Sequence, residues 1–153
     1  MNVCLGGTFD LLHRGHKQLI ITACKLAGAN GVVIIGVTSG VLGKKQRKIH
    51  SYAQRTSAIK KFLPETGTNT QVVITLIQDN YGPSIQEDFD AIVVSPETKL
   101  VAEEINVKRK QKGKKLLQIV VVPFVLAEDG RPISSTRIRN GEIDENGTLL
   151  KKE

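Results

Sequence analysis

Two histidines three residues apart, His13 and His16, close the segment Leu5-Gly-Gly-Thr-Phe-Asp10-Leu-Leu-His-Arg-Gly-His16. The apolar run ahead of them reads as a strand over residues 2–5, broken by Gly6 and Gly7. A helix is expected from Gly15 to Ala27, because Leu19, Ile20, Ala23, Cys24, Leu26 and Ala27 form one broad apolar face. Both imidazoles then share a face at a helix N-terminus. Free backbone N–H groups and the positive end of the helix dipole favour a phosphate there. The glycine pair lets the backbone approach a ligand closely, since no Cβ intervenes. The imidazoles add donors that become cationic when a phosphate is near. A metal centre fails on ligand count, because the remaining histidine is His50 and no Cys-x-x-Cys accompanies it.

Along the rest of the chain, apolar β-rich runs alternate with stretches of helical period. Further strands are expected at 31–37, 71–77, 90–94 and 116–122, with helices at 52–63, 98–112 and from Ser134 to Arg139. Continuous apolar strands such as Gly31-Val-Val-Ile-Ile-Gly-Val37 suit a sheet buried on both faces. Strands spaced by helices imply an α/β, Rossmann-like, doubly wound domain: a mostly parallel five-stranded sheet with helices on both faces. Ligands of such sheets bind beyond the carboxyl ends of the strands. The loops after the strands, 6–15, 38–48, 78–83, 95–98 and 123–136, are therefore the place to look for a site.

Composition narrows the field. A chain of 153 residues is read as one domain over 1–153, with a net charge of +7. Cys4 and Cys24 lie in apolar runs and read as buried free thiols of a reducing compartment. No signal-peptide pattern and no membrane-length apolar run is visible, so a cytoplasmic, non-membrane protein is expected. The basic clusters at 44–48, 108–115 and 151–152 suit polyanionic small molecules, while 108–115 reads as a solvated helix end. Two tyrosines, four phenylalanines and no tryptophan give no stacking platform for nucleic acid. The motifs Gly-x-Gly-x-x-Gly and the P-loop are absent. After the turn Asp129-Gly-Arg-Pro132 comes Ile133-Ser-Ser-Thr-Arg-Ile-Arg139, whose serines would by themselves read as helix caps.

Gly7, Phe9, Asp10, His13, Gly15 and His16 fill every fixed position of Gly-x-Phe-Asp-x-x-His-x-Gly-His, and the chain thereby resembles the nucleotidylyltransferase superfamily. In that superfamily a late Ile-Ser-Ser/Thr-Thr/Ser-x-Ile-Arg/Lys segment forms the other wall of the nucleotide pocket. The sets Tyr81-Gly-Pro, Val93-Val-Ser-Pro-Glu-Thr98 and Ile105-Asn-Val-Lys-Arg109 are similar to those of phosphopantetheine adenylyltransferases of the archaeal and eukaryotic type. The resemblance spans about Val3 to Gly141. It implies transfer of the adenylyl group of ATP to 4′-phosphopantetheine, with ATP and 4′-phosphopantetheine as partners and no nucleic acid or membrane. A monomer is compatible with it, and magnesium is expected with ATP as charge neutraliser, without a protein cage.

The same resemblance distributes roles. His16 is assigned to the α- and β-phosphates as chief transition-state stabiliser, and His13 to phosphate contact or orientation of the loop. Gly7, Thr8 and Phe9 would meet the nucleotide, and Thr8 also the acceptor phosphate. Lys44 or Lys45 would neutralise phosphate, a choice left open. Asp10 would either brace the loop or touch substrate. Ser134, Ser135, Thr136 and Arg137 would hold triphosphate, Thr98, Asn106 and Arg109 adenosine or phosphate, and Tyr81 the pantetheine arm. A rival is a cytidylyltransferase for a small phosphorylated alcohol, whose usual Arg-Thr-x-Gly-Ile-Ser-Thr-Thr is replaced here by Asp129-Gly-Arg-Pro-Ile-Ser-Ser-Thr136. A basic nucleic-acid-binding domain without catalysis is the reading from another class.

Overall fold

Along the first strand, β1 (Asn2–Gly7), side chains alternate between the two faces of the sheet. Val3 and Leu5 join a core with α1 (Arg14–Ala27) and α2 (Tyr52–Phe62), while Cys4 joins a second core with α3 (Lys99–Gln111). The computed structural model describes residues 1–39, 49–79 and 81–150. Its other strands are β2 (Val32–Thr38), β3 (Gln71–Ile77), β4 (Ala91–Val94) and β5 (Gln118–Val121). All pair in parallel, in the order β3-β2-β1-β4-β5. The fold is the expected Rossmann-like α/β sheet, with α1 and α2 on one face and α3 on the other. The order reverses between β2 and β4 around β1, so the switch point lies at the carboxyl end of β1. Among the described residues no helix is long and apolar enough to cross a membrane.

Three of the boundaries that differ from the sequence reading have a local cause. Gly6 and Gly7 do not break β1: they pair in register with Gly36 and Val37 of β2. Their value lies in packing. A Cβ at Gly36 would stand 2.9 Å from the Ile77 side chain and one at Gly7 would stand 3.2 Å from the Phe9 ring, so these two glycines make room for their neighbours, whereas one at Gly6 would meet Ile77 at an ordinary 3.4 Å. Helix α1 starts at Arg14, one residue early, because His13 itself is the N-cap. Helix α2 ends at Phe62, and Pro64 sits inside a 3₁₀ turn (Leu63–Thr66) where its missing N–H is harmless. At its other end α2 is closed by a Ser51–Gln54 capping box, with bonds of 3.1 and 3.0 Å. The last helix, α4 (Ser135–Arg139), is short and is capped by Ser134. It rests on a small third core of Ala127, Ile133 and Ile143.

Gly31 joins α1 to β2 with no space to spare. A Cβ there would lie 2.2 Å from the Ala27 carbonyl oxygen and 2.3 Å from that of Met1. Both are backbone atoms and cannot swing aside. Gly31→Ala is expected to lower stability by about 1–3 kcal/mol or more, read as a reduced urea midpoint with an unchanged denaturant slope.

Candidate active site

At the carboxyl ends of the strands lies a cleft with two connected lobes. One, of about 380 Å³, is walled by the first motif, by residues 122–125 and by Pro132 to Thr136 with Arg139. The other, of about 420 Å³, lies over the ends of β1, β2 and β4, and includes Gly6, Gly7, Thr38, Tyr81 and Thr98. Thr8, Phe9, His16, Ser95 and Glu97 line both. His16 therefore stands at the junction, with room for one group on either side. Phe9 and Leu11, flanking Asp10, have φ of 53° and 52°, the left-handed region that bulky residues avoid. Such conformations cost about 1–3 kcal/mol each and persist where surrounding contacts hold them.

The two histidines hold one another. His13 Nδ1 accepts from the backbone N–H of Gly15 at 3.0 Å and of His16 at 3.4 Å. His16 Nδ1 in turn accepts from the backbone N–H of His13 at 3.3 Å. This is a reciprocal capping box made of imidazoles, with rings stacked at a centroid distance of 3.7 Å and 18° between planes. Gly15 is dictated by it, because a Cβ there would lie 2.8 Å from the His13 ring. The first-turn donors of α1 are thus spent inside the protein, and the remaining one, Arg14 N–H, bonds the Glu145 carbonyl at 3.1 Å. The sequence reading of free α1 N–H groups is corrected accordingly: the imidazoles consume the donors they were expected to supplement. Burial holds the His13 ring down at about 4, and burial, with the His13 ring beside it, holds His16 down at about 3. Both rings are neutral at pH 7.

Asp10 ties the cleft together. Its Oδ1 accepts from the His50 backbone N–H at 3.0 Å and from His50 Nδ1 at 2.9 Å, and its Oδ2 accepts from Arg139 Nη1 at 2.5 Å. Its carbonyl accepts from Ser135 Oγ at 2.7 Å. Burial alone would push its carboxyl up, but the His50 and Arg139 donors together bring it below the usual carboxylate range. Arg55, 2% exposed, adds a second tie: Nε donates to the His50 carbonyl at 2.9 Å, and Nη1 donates to the carbonyls of Thr8 at 2.9 Å and Thr38 at 2.8 Å.

The structure brings Gly7, Thr8, Phe9, Asp10, His13, His16, Tyr81, Thr98, Ser134, Ser135 and Thr136 to the cleft. The backbone N–H groups of Ser135 and Thr136 make no hydrogen bond among the described residues. Tyr81 lines the second lobe while its hydroxyl donates to Glu104 at 3.0 Å. Thr98 binds back to Ser95. Lys44 and Lys45 lie outside the described residues.

Three of the expected residues point elsewhere. Asn106 is a two-way clasp on the Leu117 backbone, at 2.9 and 2.8 Å. Arg109, 1% exposed, donates to the carbonyls of Ser84, Glu87 and Lys115, each at 2.8 Å, and so fixes the turn before β4 and the entry to β5. Arg137 forms ion pairs with Asp129 at 2.5 Å and Glu142 at 3.6 Å, away from the cleft. The cation of this segment that faces the cleft is Arg139, which sequence reading passed over. Its signal was the i, i+4 spacing from Ser135, which puts both on one face of α4. Arg55 had a signal too, as a charge on the buried stripe shared with Ile59 and Phe62. Nothing local marks His50 as a partner of Asp10, 40 residues away.

Among the described residues no three metal-ligating side chains converge, and Asp10 already shares its oxygens between His50 and Arg139.

Residues 4–141 match the cytidylyltransferase-like family. A phosphopantetheine adenylyltransferase of Methanosarcina mazei is 48% identical over 98% of this chain and 97% of that relative. A phosphopantetheine adenylyltransferase of Archaeoglobus fulgidus is 43% identical over 98% of this chain and 100% of its own length. Among solved structures, an Archaeoglobus fulgidus protein described as of unknown function superposes with a TM-score of 0.71 at 39% identity, covering 80% of this chain and 89% of its own.

The buried neutral histidines make stability depend on pH. In the unfolded chain a histidine titrates near ~6.5. Between that value and the folded values of about 4 and about 3, unfolding takes up protons. Stability is therefore full above ~6.5 and falls as the pH drops, by up to about 1.4 kcal/mol per pH unit for each ring. Asp10 adds to the loss in acid, since its lowered carboxyl stabilises the fold only while ionised. Urea midpoints measured at pH 7, 6 and 5 are expected to decline steadily, and His13→Ala should make that decline shallower.

Proposed function

The chain belongs to the cytidylyltransferase-like family and, within it, to the phosphopantetheine adenylyltransferases, and from that premise we propose that it transfers the adenylyl group of ATP to 4′-phosphopantetheine. A phosphate oxygen of the acceptor bonds to the α-phosphorus of ATP. The bond from that phosphorus to the oxygen leading to the β-phosphorus breaks, and pyrophosphate leaves with dephospho-coenzyme A as the other product. The observation that carries the reading is full-length similarity joined to a cleft of two lobes that meet at His16.

A phosphate monoester is already largely ionised at neutral pH, its second pKa being about 6, so the reaction asks for no general base. What remains is alignment and stabilisation of charge around the α-phosphorus and on the leaving pyrophosphate. His16, at the junction, supplies an N–H donor to the α- and β-phosphates. The nucleotide lies in the lobe walled by α4. There the N–H groups of Ser135 and Thr136 and the hydroxyls of Ser134 and Thr136 donate to triphosphate, and Arg139 adds the positive charge. The acceptor lies in the lobe over the strand ends, its phosphate near Thr8 and its arm toward Tyr81. Magnesium accompanying ATP would neutralise charge on the triphosphate, and no step is assigned to it.

The test is release of pyrophosphate with each nucleoside triphosphate and each phosphorylated acceptor. ATP with 4′-phosphopantetheine should support turnover, and CTP with glycerol phosphate or choline phosphate should not. A clear preference for CTP overturns the substrate assignment and leaves family membership intact.

The two arginines are expected to separate in KM, although both variants lose stability, because Arg139 also supplies a donor to the buried Asp10 carboxylate. Arg139→Met should raise KM for ATP at least tenfold, the effect of losing a charge-assisted bond of about 1.5–3 kcal/mol. Arg109→Met should lower the melting temperature, because it orphans buried carbonyls, but leave KM of the folded enzyme unchanged.

A further inference from the structure

We propose that His13 acts through His16 as a positioning residue, fixing the rotamer and tautomer of the His16 ring so that His16 meets the phosphates as a neutral Nε2–H donor. The inference rests on the reading that His16 faces the reacting phosphates, but the lock itself is a property of the resting protein.

The geometry leaves one proton arrangement. A ring nitrogen that accepts from a backbone N–H carries no proton of its own. His16 Nδ1 accepts from the His13 backbone N–H, so the proton of the neutral ring is on Nε2. His13 Nδ1 accepts two backbone N–H bonds, so its proton is on Nε2 as well. The alternative tautomer would set an N–H against an N–H at each site. A cationic ring would do the same. The stacked rings, 3.7 Å apart, resist a second charge still further, and burial disfavours the first. His50 shows the opposite choice within the same fold: its Nδ1 faces the carboxylate of Asp10 at 2.9 Å and must be the donor.

The lock turns on the His13 side chain. His13 is the N-cap whose Nδ1 holds the N–H groups of Gly15 and His16, and this fixes the first turn in which the His13 N–H meets His16. Without a cap acceptor those donors are released, the turn frays, and the His16 ring is free to take either tautomer. Gly15 serves the same end, because any side chain there would push the His13 ring out of the stack. A neutral donor also suits a step that expels pyrophosphate, since it strengthens as charge develops without binding the product as a full ion pair.

Two substitutions split the functions of the His13 ring. Asparagine places a carbonyl oxygen where Nδ1 stands and offers no donor at Nε2. Glutamine reaches the Nε2 position with an N–H and supplies no acceptor at Nδ1. In the resting protein at pH 7, ¹⁵N NMR of the His16 ring should show a protonated Nε2 and a bare Nδ1, both in the wild type and in His13→Asn. His13→Gln should show a mixture of tautomers. In turnover, His13→Asn is expected to keep kcat within about tenfold of wild type, while His13→Gln loses ~10²–10³, the usual cost of one misplaced donor. Circular dichroism and melting temperature confirm that both variants are folded. A wild-type His16 that is protonated on Nδ1 or on both nitrogens overturns the proposal. So does a His13→Gln enzyme faster than His13→Asn, which would make His13 a direct phosphate ligand. If instead the wild type releases no pyrophosphate from ATP and 4′-phosphopantetheine while the NMR result holds, the substrate assignment falls and the lock stands.

Discussion

The carboxylate of Asp10 is the joint on which this cleft depends. It gathers two donors from His50 and one from Arg139, and its own carbonyl takes the hydroxyl of Ser135. Those partners come from the end of the β2–α2 connection and from α4, both remote from the first motif in sequence. An unpaired carboxylate that is 3% exposed would be prohibitively costly, and this one is tolerable only while its partners stay in place. The cost of isolating it is what holds the walls of the cleft together. The left-handed backbone at Phe9 and Leu11 belongs to the same device, since it turns Asp10 inward between two bulky residues that would otherwise extend.

Around that joint, the fold uses cations in two ways. Arg55 and Arg109 are nearly inaccessible and donate through Nε and Nη1 to backbone carbonyls, so each ties together segments that secondary structure leaves loose. A guanidinium suits that task because its donors fan out in a plane and its charge cannot be titrated away. Arg139 differs. One of its nitrogens is held by Asp10 and its side chain still borders the cleft, so it is oriented before any ligand arrives. The histidine pair follows the same logic: its inner nitrogens are spent on the backbone, which leaves the outer nitrogen of His16 for the ligand.

Much of this was legible in the chain because it is local. The continuous apolar run Val3-Cys-Leu5 and the period near 3.6 in Leu19 to Ala27 report burial directly, and strands alternating with helices leave few topologies. The spacing of His13, Gly15 and His16 is also local, and so was visible as a site. What it meant was less visible. Histidine is seldom read as a helix cap, so the imidazoles counted as additions to the free N–H groups, whereas they occupy them.

By itself, then, the sequence determined the parallel sheet and the end of it that carries the site, because each follows from apolar patterning or from short-range spacing, while the late segment was marked as a second wall only by the resemblance. Tertiary structure alone decided which polar side chains face the ligand. Arg137 and Arg139 differ by two residues, and a helix turns such a pair to nearly opposite sides, one to Asp129 and one to Asp10. Asn106 and Arg109 lie on the helix after β4 in a pattern that resembles ligand contacts, yet the turns before β4 and β5 claim them, because buried carbonyls and amides need partners wherever they occur. Pairings such as Asp10 with His50 or Arg139 are set by where the folded chain brings distant segments, and no periodicity along the chain encodes that distance.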